Sequence, residues 1–144
     1  SRRDFWKILY EMVKEGVTVF VSTAYLDEAE RCGRVGFMDH GRLILCDTPR
    51  NLKAPLTRSI MEVAAEEPRK ALHLLHSLYG KTRADLVSEK IRLRLPQGIT
   101  FEKVQENLEA EGILIKEIRF ARPTLEDVFV NSPVVLPRKV EESL

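Results

Sequence analysis

Apolar residues at Phe5, Ile8, Leu9, Met12 and Val13 keep the i, i+3, i+4, i+7, i+8 spacing of one helical face. Lys7, Glu11 and Lys14 fall on other faces and Gly16 supplies a stop. The period then changes. Val17 to Val21 is a β-branched apolar run with little polar alternation, which predicts a strand covered on both faces in a parallel α/β sheet. Ser22 and Thr23, both good helix-capping residues, open an acidic segment in which Leu26 and Ala29 are the expected buried positions. Val35 to Met38 and Leu43 to Cys46 read as two short strands joined by a tight turn at Asp39-His40-Gly41. Thr48-Pro49 reads as an N-cap with proline at the first helical position. Arg50 to Lys53 follows as one helical turn, which Ala54-Pro55-Leu56-Thr57 ends.

A new pattern starts there, and with it a second domain. Arg58 to Ala65 has strand content around Ile60, Met61 and Val63. Pro68 opens a helix with Ala71, Leu72, Leu75, Leu78 and Tyr79 on one side and Gly80 as terminator. Thr82 to Val87 and Lys90 to Leu95 predict a hairpin across Ser88-Glu89. In its second arm Ile91, Leu93 and Leu95 alternate with Arg92 and Arg94, which places one face on a core and the other in water. Thr100 caps a helix that carries Phe101, Val104 and Leu108 inward and stops at Gly112, and Ile113 to Phe120 is the last strand. The order strand, helix, strand, strand, helix, strand is that of a ferredoxin-like (βαββαβ) α+β sandwich with both helices on one face. Thr124 and Asp127 form a capping pair for a short helix with Leu125, Val128 and Phe129 on one apolar face. Residues 131–144, with Pro133 and Pro137, show no period and read as a flexible tail.

Composition narrows the function classes. The 144 residues suit one ordinary domain or two small ones, and a 44% apolar fraction is enough for a core. Twenty-three basic against twenty-two acidic residues argue against a nucleic-acid surface as the main business of the chain. Cys32 and Cys46 lack Cys-x-x-Cys spacing, so a zinc or redox pair is disfavoured and a reducing, cytoplasmic setting fits. No apolar run approaches the ~20 residues of a spanning helix, so the expected link to a membrane runs through a partner.

The run Val19 to Glu30, followed by Arg34-Val35-Gly36-Phe37-Met38-Asp39-His40-Gly41-Arg42-Leu43-Ile44-Leu45-Cys46-Asp47-Thr48-Pro49, resembles the segment of ABC transporter ATPases from the switch-histidine loop to the end of the nucleotide-binding domain. The closing phrase Pro123-Thr124-Leu125-Glu126-Asp127-Val128-Phe129 resembles the ending of an accessory C-terminal domain in ATPases of ABC-2-type drug exporters. The resemblance implies an α/β chain in which residues 1–53 are the tail of a RecA-like ABC ATPase domain. Residues 58–130 would be a ferredoxin-like accessory or regulatory domain. It further implies ATP and magnesium in the intact parent, a membrane permease and a second ATPase copy as partners, and a peripheral place at the cytoplasmic face of the membrane. By the same resemblance Ser22, Thr23 and Ala24 form a nucleotide-proximal loop, with Ala24 where the family has its histidine, and Arg2 or Arg3 matches an arginine after the Walker B acid. The Gly-x-x-x-x-Gly-Lys-Ser/Thr phosphate loop, the signature and the Walker B acid do not occur in these residues, so the chain is expected to be a piece of a larger protein and inactive alone.

Each candidate has a plainer rival. Ala24 can neither donate a hydrogen bond nor carry a proton, so no catalytic residue is assigned. Asp27, Glu28 and Glu30 read better as solvated charges complementing a helix N-terminus than as a carboxylate cluster. His73 and His76 sit one turn apart without a third ligand, which favours an ordinary pair over a metal site. His40 reads as a turn residue, and Arg92 and Arg94 fit a solvated strand face better than an anion site. The competing function is a non-catalytic regulatory or interaction module that docks a partner through a sheet edge or through Leu125, Val128 and Phe129. Val17 to Val21, short of neighbouring strands, is expected to pair with another copy or rearrange.

Overall fold

The computed structural model describes residues 1–131. Helix α1 (Arg2–Lys14) forms where the apolar spacing predicts it and ends before Gly16, whose φ of 90° suits glycine. Its burial is a different matter. Phe5 and Ile8 are 54% and 56% exposed, Met12 and Val13 also stand open, and the buried residue of the helix is Trp6, at 4%. The expected packing stripe therefore has no cover among the described residues.

The predicted strand Val17 to Val21 is likewise corrected. It runs outside any helix or ladder, with Phe20 93% exposed, and both sheets of the structure are antiparallel. A two-face-covered strand is stabilised by two flanking ladders and two layers of side chains. The described residues supply neither, so a β-branched sequence stays unpaired.

Helix α2 (Leu26–Ala29) follows, then the hairpin of β1 (Val35–Asp39) and β2 (Arg42–Asp47). The register pairs Phe37 with Leu45 and Asp39 with Arg42, slipping by one between Phe37 and Met38. The turn places His40 and Gly41 at φ of 45° and 74°, the doubly left-handed geometry of a two-residue hairpin loop. Helix α3 (Pro49–Lys53) starts as predicted: Thr48 Oγ1 accepts from the Asn51 amide at 3.1 Å, with Pro49 at the first position. A 3-10 turn, Ala54–Leu56, completes this half.

The second half is β3 (Ile60–Ala65), α4 (Pro68–Tyr79), β4 (Ala84–Val87), β5 (Lys90–Arg94), α5 (Phe101–Ala110) and β6 (Ile115–Phe120). The sheet order is β4-β5-β3-β6, with β3 central and antiparallel to both β5 and β6. Strand β3 starts two residues later than the pattern suggested because Arg58 adopts a φ of 65°, which no strand residue holds. Ala71 and Leu75 of α4 and Val104 and Leu108 of α5 pack with Met61, Val63, Ile91 and Leu93 into one core. Thr100 caps α5 through its hydroxyl, accepting from Lys103 N at 3.2 Å.

The other face of this sheet departs from expectation. Arg92 and Arg94 are not solvated but held in ion pairs: Arg94 bonds Asp85 and the Thr82 carbonyl, and Arg92 reaches Asp127 at 2.7 Å. Glu62 at the centre of the face takes Arg119 at 2.8 Å and Lys90 at 3.3 Å. Burial alone would raise the Glu62 carboxyl, but the hydrogen bonds from Arg119 and Lys90 outweigh it and hold it below the usual range.

Helix α6 (Leu125–Asn131) crosses back to the first half. Leu125, with no exposed surface, and Val128 join Ala29, Val35 and Phe37 in a second, smaller core, and the Phe129 ring lies 5.7 Å from that of Phe37. The apolar face proposed from sequence as a docking surface is thus taken inside the molecule, because a complementary patch on the same chain outcompetes one in solution. The predicted tail, 131–144, lies outside the described residues apart from Asn131, the last residue of α6.

Candidate functional site

The acidic helix α2 is the crossing point of the first half. Thr23 makes a side-chain turn just ahead of it, its Oγ1 accepting from the Tyr25 amide at 3.0 Å and donating to Glu28 at 2.6 Å. Ser22 and Thr23 were expected to cap this helix, yet the N-cap position falls to Tyr25, which provides no side-chain bond. Arg2 donates from Nε to Glu28 at 2.9 Å, reaches Asp27 at 3.3 Å, and stacks over the Tyr25 ring at 5.3 Å. The Thr23 hydroxyl, and after it the Arg2 guanidinium, pulls the Glu28 carboxyl below its ordinary range.

Glu28 and Glu30 therefore do not act as the solvated helix-end charges the sequence suggested. Glu30 accepts from Lys53 Nζ at 2.7 Å and from the Leu125 amide at 2.9 Å, a contact between residues 95 apart in sequence. Asp27 alone keeps the expected exposed character. Arg2 was matched by resemblance, together with Arg3, to an arginine after the Walker B acid, and its contact with these carboxylates was not foreseen. Lys53 and Trp6 were missed, and no local spacing could have found them. Arg31 sits 5.7 Å over the Trp6 ring, while the Trp6 indole N–H is buried without a partner among the described residues.

The remaining candidates are scattered. His76 Nε2 lies 2.8 Å from the Ala84 carbonyl on the sheet side of α4, whereas His73 is exposed on that helix. His40 contacts Asp39 in the turn. Burial raises the Cys32 thiol, with Glu28 adding to the effect. Among the described residues no three His, Cys, Asp or Glu side chains converge as metal ligands, and no helix is long and apolar enough to cross a membrane.

The donor set of loop 22–24 does not by itself fit a triphosphate and its magnesium. Ala24 carries a methyl group, the Thr23 hydroxyl is committed to Glu28, and the nearby carboxylates are engaged by Arg2 and Lys53.

Comparison with known proteins decides the relationship. The chain is 32% identical over 137 residues to the daunorubicin resistance ATP-binding protein DrrA2 of Streptomyces coeruleorubidus, covering 91% of this chain and 42% of that protein. It is 27% identical over 135 residues to the daunorubicin/doxorubicin resistance ATP-binding protein DrrA of Streptomyces peucetius, covering 90% and 41%. This chain is a homologue of ABC transporter ATP-binding proteins. A shorter match of higher identity, 50% over 54 residues, links the chain to the probable multidrug ABC transporter ATP-binding protein YbhF of Escherichia coli, over 38% of this chain and 9% of that protein. The chain thus spans about two fifths of the length of the resistance proteins that it matches over about nine tenths of its own. No family model matches it.

Proposed function

We propose that this chain works as the C-terminal part of the ATP-binding subunit of an ABC-type exporter. Residues 1–53 are the closing segment of the RecA-like nucleotide-binding domain and residues 58–130 a ferredoxin-like accessory domain. The observation that carries the reading is similarity spread over 91% of the chain, across both halves, to one drug-resistance ATP-binding protein. The sheet order β4-β5-β3-β6 with its intervening helices supports the accessory-domain assignment. The open stripe of α1 and the unpaired residues 17–21 support the other half: they offer apolar surface of the kind a parallel sheet covers.

In the intact subunit, ATP with magnesium would supply the phosphoryl group, and closure of two copies would act on a membrane permease at the cytoplasmic face. This chain contributes the loop Ser22-Thr23-Ala24. Thr23, locked to Glu28, fixes the loop against α2. Ala24 offers no group to hold or move a proton, so the loop shapes the site without acting as an acid or base.

The purified chain is expected to show no ATP turnover, and millimolar ATP with magnesium to leave its melting temperature unchanged, since a ligand stabilises only what it binds. Turnover that copurified with the chain and survived substitution of Ser22 and Thr23 would overturn this reading. In an intact subunit carrying this segment, Ala24→His is expected to raise turnover by roughly a hundredfold or more, the lower end of what a positioned acid–base group contributes. An unchanged rate would remove loop 22–24 from the nucleotide site.

A further inference from the structure

We propose that α6 is a strap that couples the β3–β6 sheet to α2, so that a change in β5 is felt at the C-terminal end of α2. The first turn of α6 is held from both halves by carboxylates. From the first half, Glu30, the residue that ends α2, accepts the Leu125 amide at 2.9 Å and is itself clamped by Lys53 at 2.7 Å. From its own sequence, Asp127 turns back to accept the Thr124 amide at 2.8 Å and the Thr124 hydroxyl at 3.1 Å, while Thr124 Oγ1 accepts the Asp127 amide at 3.2 Å. The same Asp127 oxygen takes Arg92 of β5 at 2.7 Å.

Asp127 is the buried charged residue of the described chain, and Arg92 is its guanidinium partner. Breaking such a pair from one side leaves a desolvated charge behind, so the bond resists loosening far more than a surface pair does. Apolar contacts complete the strap. Leu125 and Val128 pack on Ala29 and Val35, so α6 and α2 share a core as well as a hydrogen bond. Displacement of β5 therefore has a continuous route, from Arg92 through Asp127 to the α6 backbone, and from Leu125 to Glu30 and Ala29. Two anchors on one seven-residue helix leave it little room to move with one half alone. The strap rests on contacts within the chain and on no assumption about nucleotide.

The test is amide hydrogen exchange on the whole 144-residue chain. Arg92→Gln is expected to speed exchange at Val128 and also at Glu30 and Cys32, whose amides are bonded within α2 and its last turn, by roughly tenfold or more, the equivalent of one lost charge-assisted hydrogen bond. Arg92→Lys, which keeps the charge without the planar fork, restores part of the protection at both places and serves as the readout if the glutamine variant does not fold. Arg119→Gln is the control: it breaks a pair with Glu62 on the same sheet face but touches no part of α6. Faster exchange at α6 with α2 unmoved would overturn the strap, as would an equal effect from Arg119→Gln. A second arm combines Arg92→Gln with Glu30→Gln. Their effects on the unfolding constant are expected to depart from additivity by more than about twofold, and additive effects would show two independent anchors.

Discussion

Helices α1 and α4 carry comparable apolar stripes, yet only one of them is buried. In α4, Ala71 and Leu75 lie against β3 and β5 with no exposed surface, while Phe5, Ile8, Met12 and Val13 of α1 face outward. The same contrast separates the strands. Ile91 and Leu93 of β5 are sealed between a helix layer and two neighbouring strands, whereas Val17 to Val21 pairs with no strand among the described residues. Amphipathic spacing says that a segment gains by meeting an apolar partner; it does not say that the partner lies within the same stretch of chain. The second half supplies its own partners and the first half leaves part of its surface waiting.

The largest expected difference lies in the cores. Leu75→Ala or Leu108→Ala should lower unfolding free energy in urea by about 2–5 kcal/mol, whereas Ile8→Ala should change it by less than about 0.5 kcal/mol. A comparable loss at Ile8 would mean that α1 is covered in solution and the contrast is false. Next comes the small core shared by the halves. Leu125→Ala is expected at the lower end of the same range, about 2 kcal/mol, since fewer side chains close around it. Thr100→Ala, which removes the cap of α5, should be worth about 1 kcal/mol.

The smallest effect is electrostatic. Glu28 and Glu62 both have carboxyls lowered in the folded state, the first by Thr23 and Arg2, the second by Arg119 and Lys90 against the pull of burial. A lowered carboxyl stabilises fully above its unfolded value, near ~4.3, and that stability is lost as pH falls through the folded value. The contribution of these two groups to the urea midpoint should therefore hold steady above pH ~5 and decline in more acidic solution. Glu62→Gln should remove part of the decline that belongs to the second half, and an unchanged acid slope would place the linkage elsewhere.

Much of the second half was legible because its signals are local. Thr100 announces α5, and Gly80 and Gly112 follow the ends of α4 and α5 with φ of 98° and 74°. Ile91, Arg92, Leu93 and Arg94 alternate as a half-covered strand must. The candidate site was legible only in part. The motif around Asp27-Glu28-Ala29-Glu30 stood out, but its use did not: Glu30 reaches Leu125 and Lys53, and Arg92 reaches Asp127 across 35 residues.

Period, capping and turn chemistry act over a handful of residues, so the chain alone determined where α1, α3, α4 and α5 stop and which side of β5 is apolar. Which surfaces meet depends on contacts between residues far apart in sequence. Tertiary structure therefore decided that α1 would stay uncovered, that the arginine face would be paired rather than wet, and that α6 would close back on α2. A side chain's fate in those three cases is set by what stands opposite it, and no local pattern encodes that.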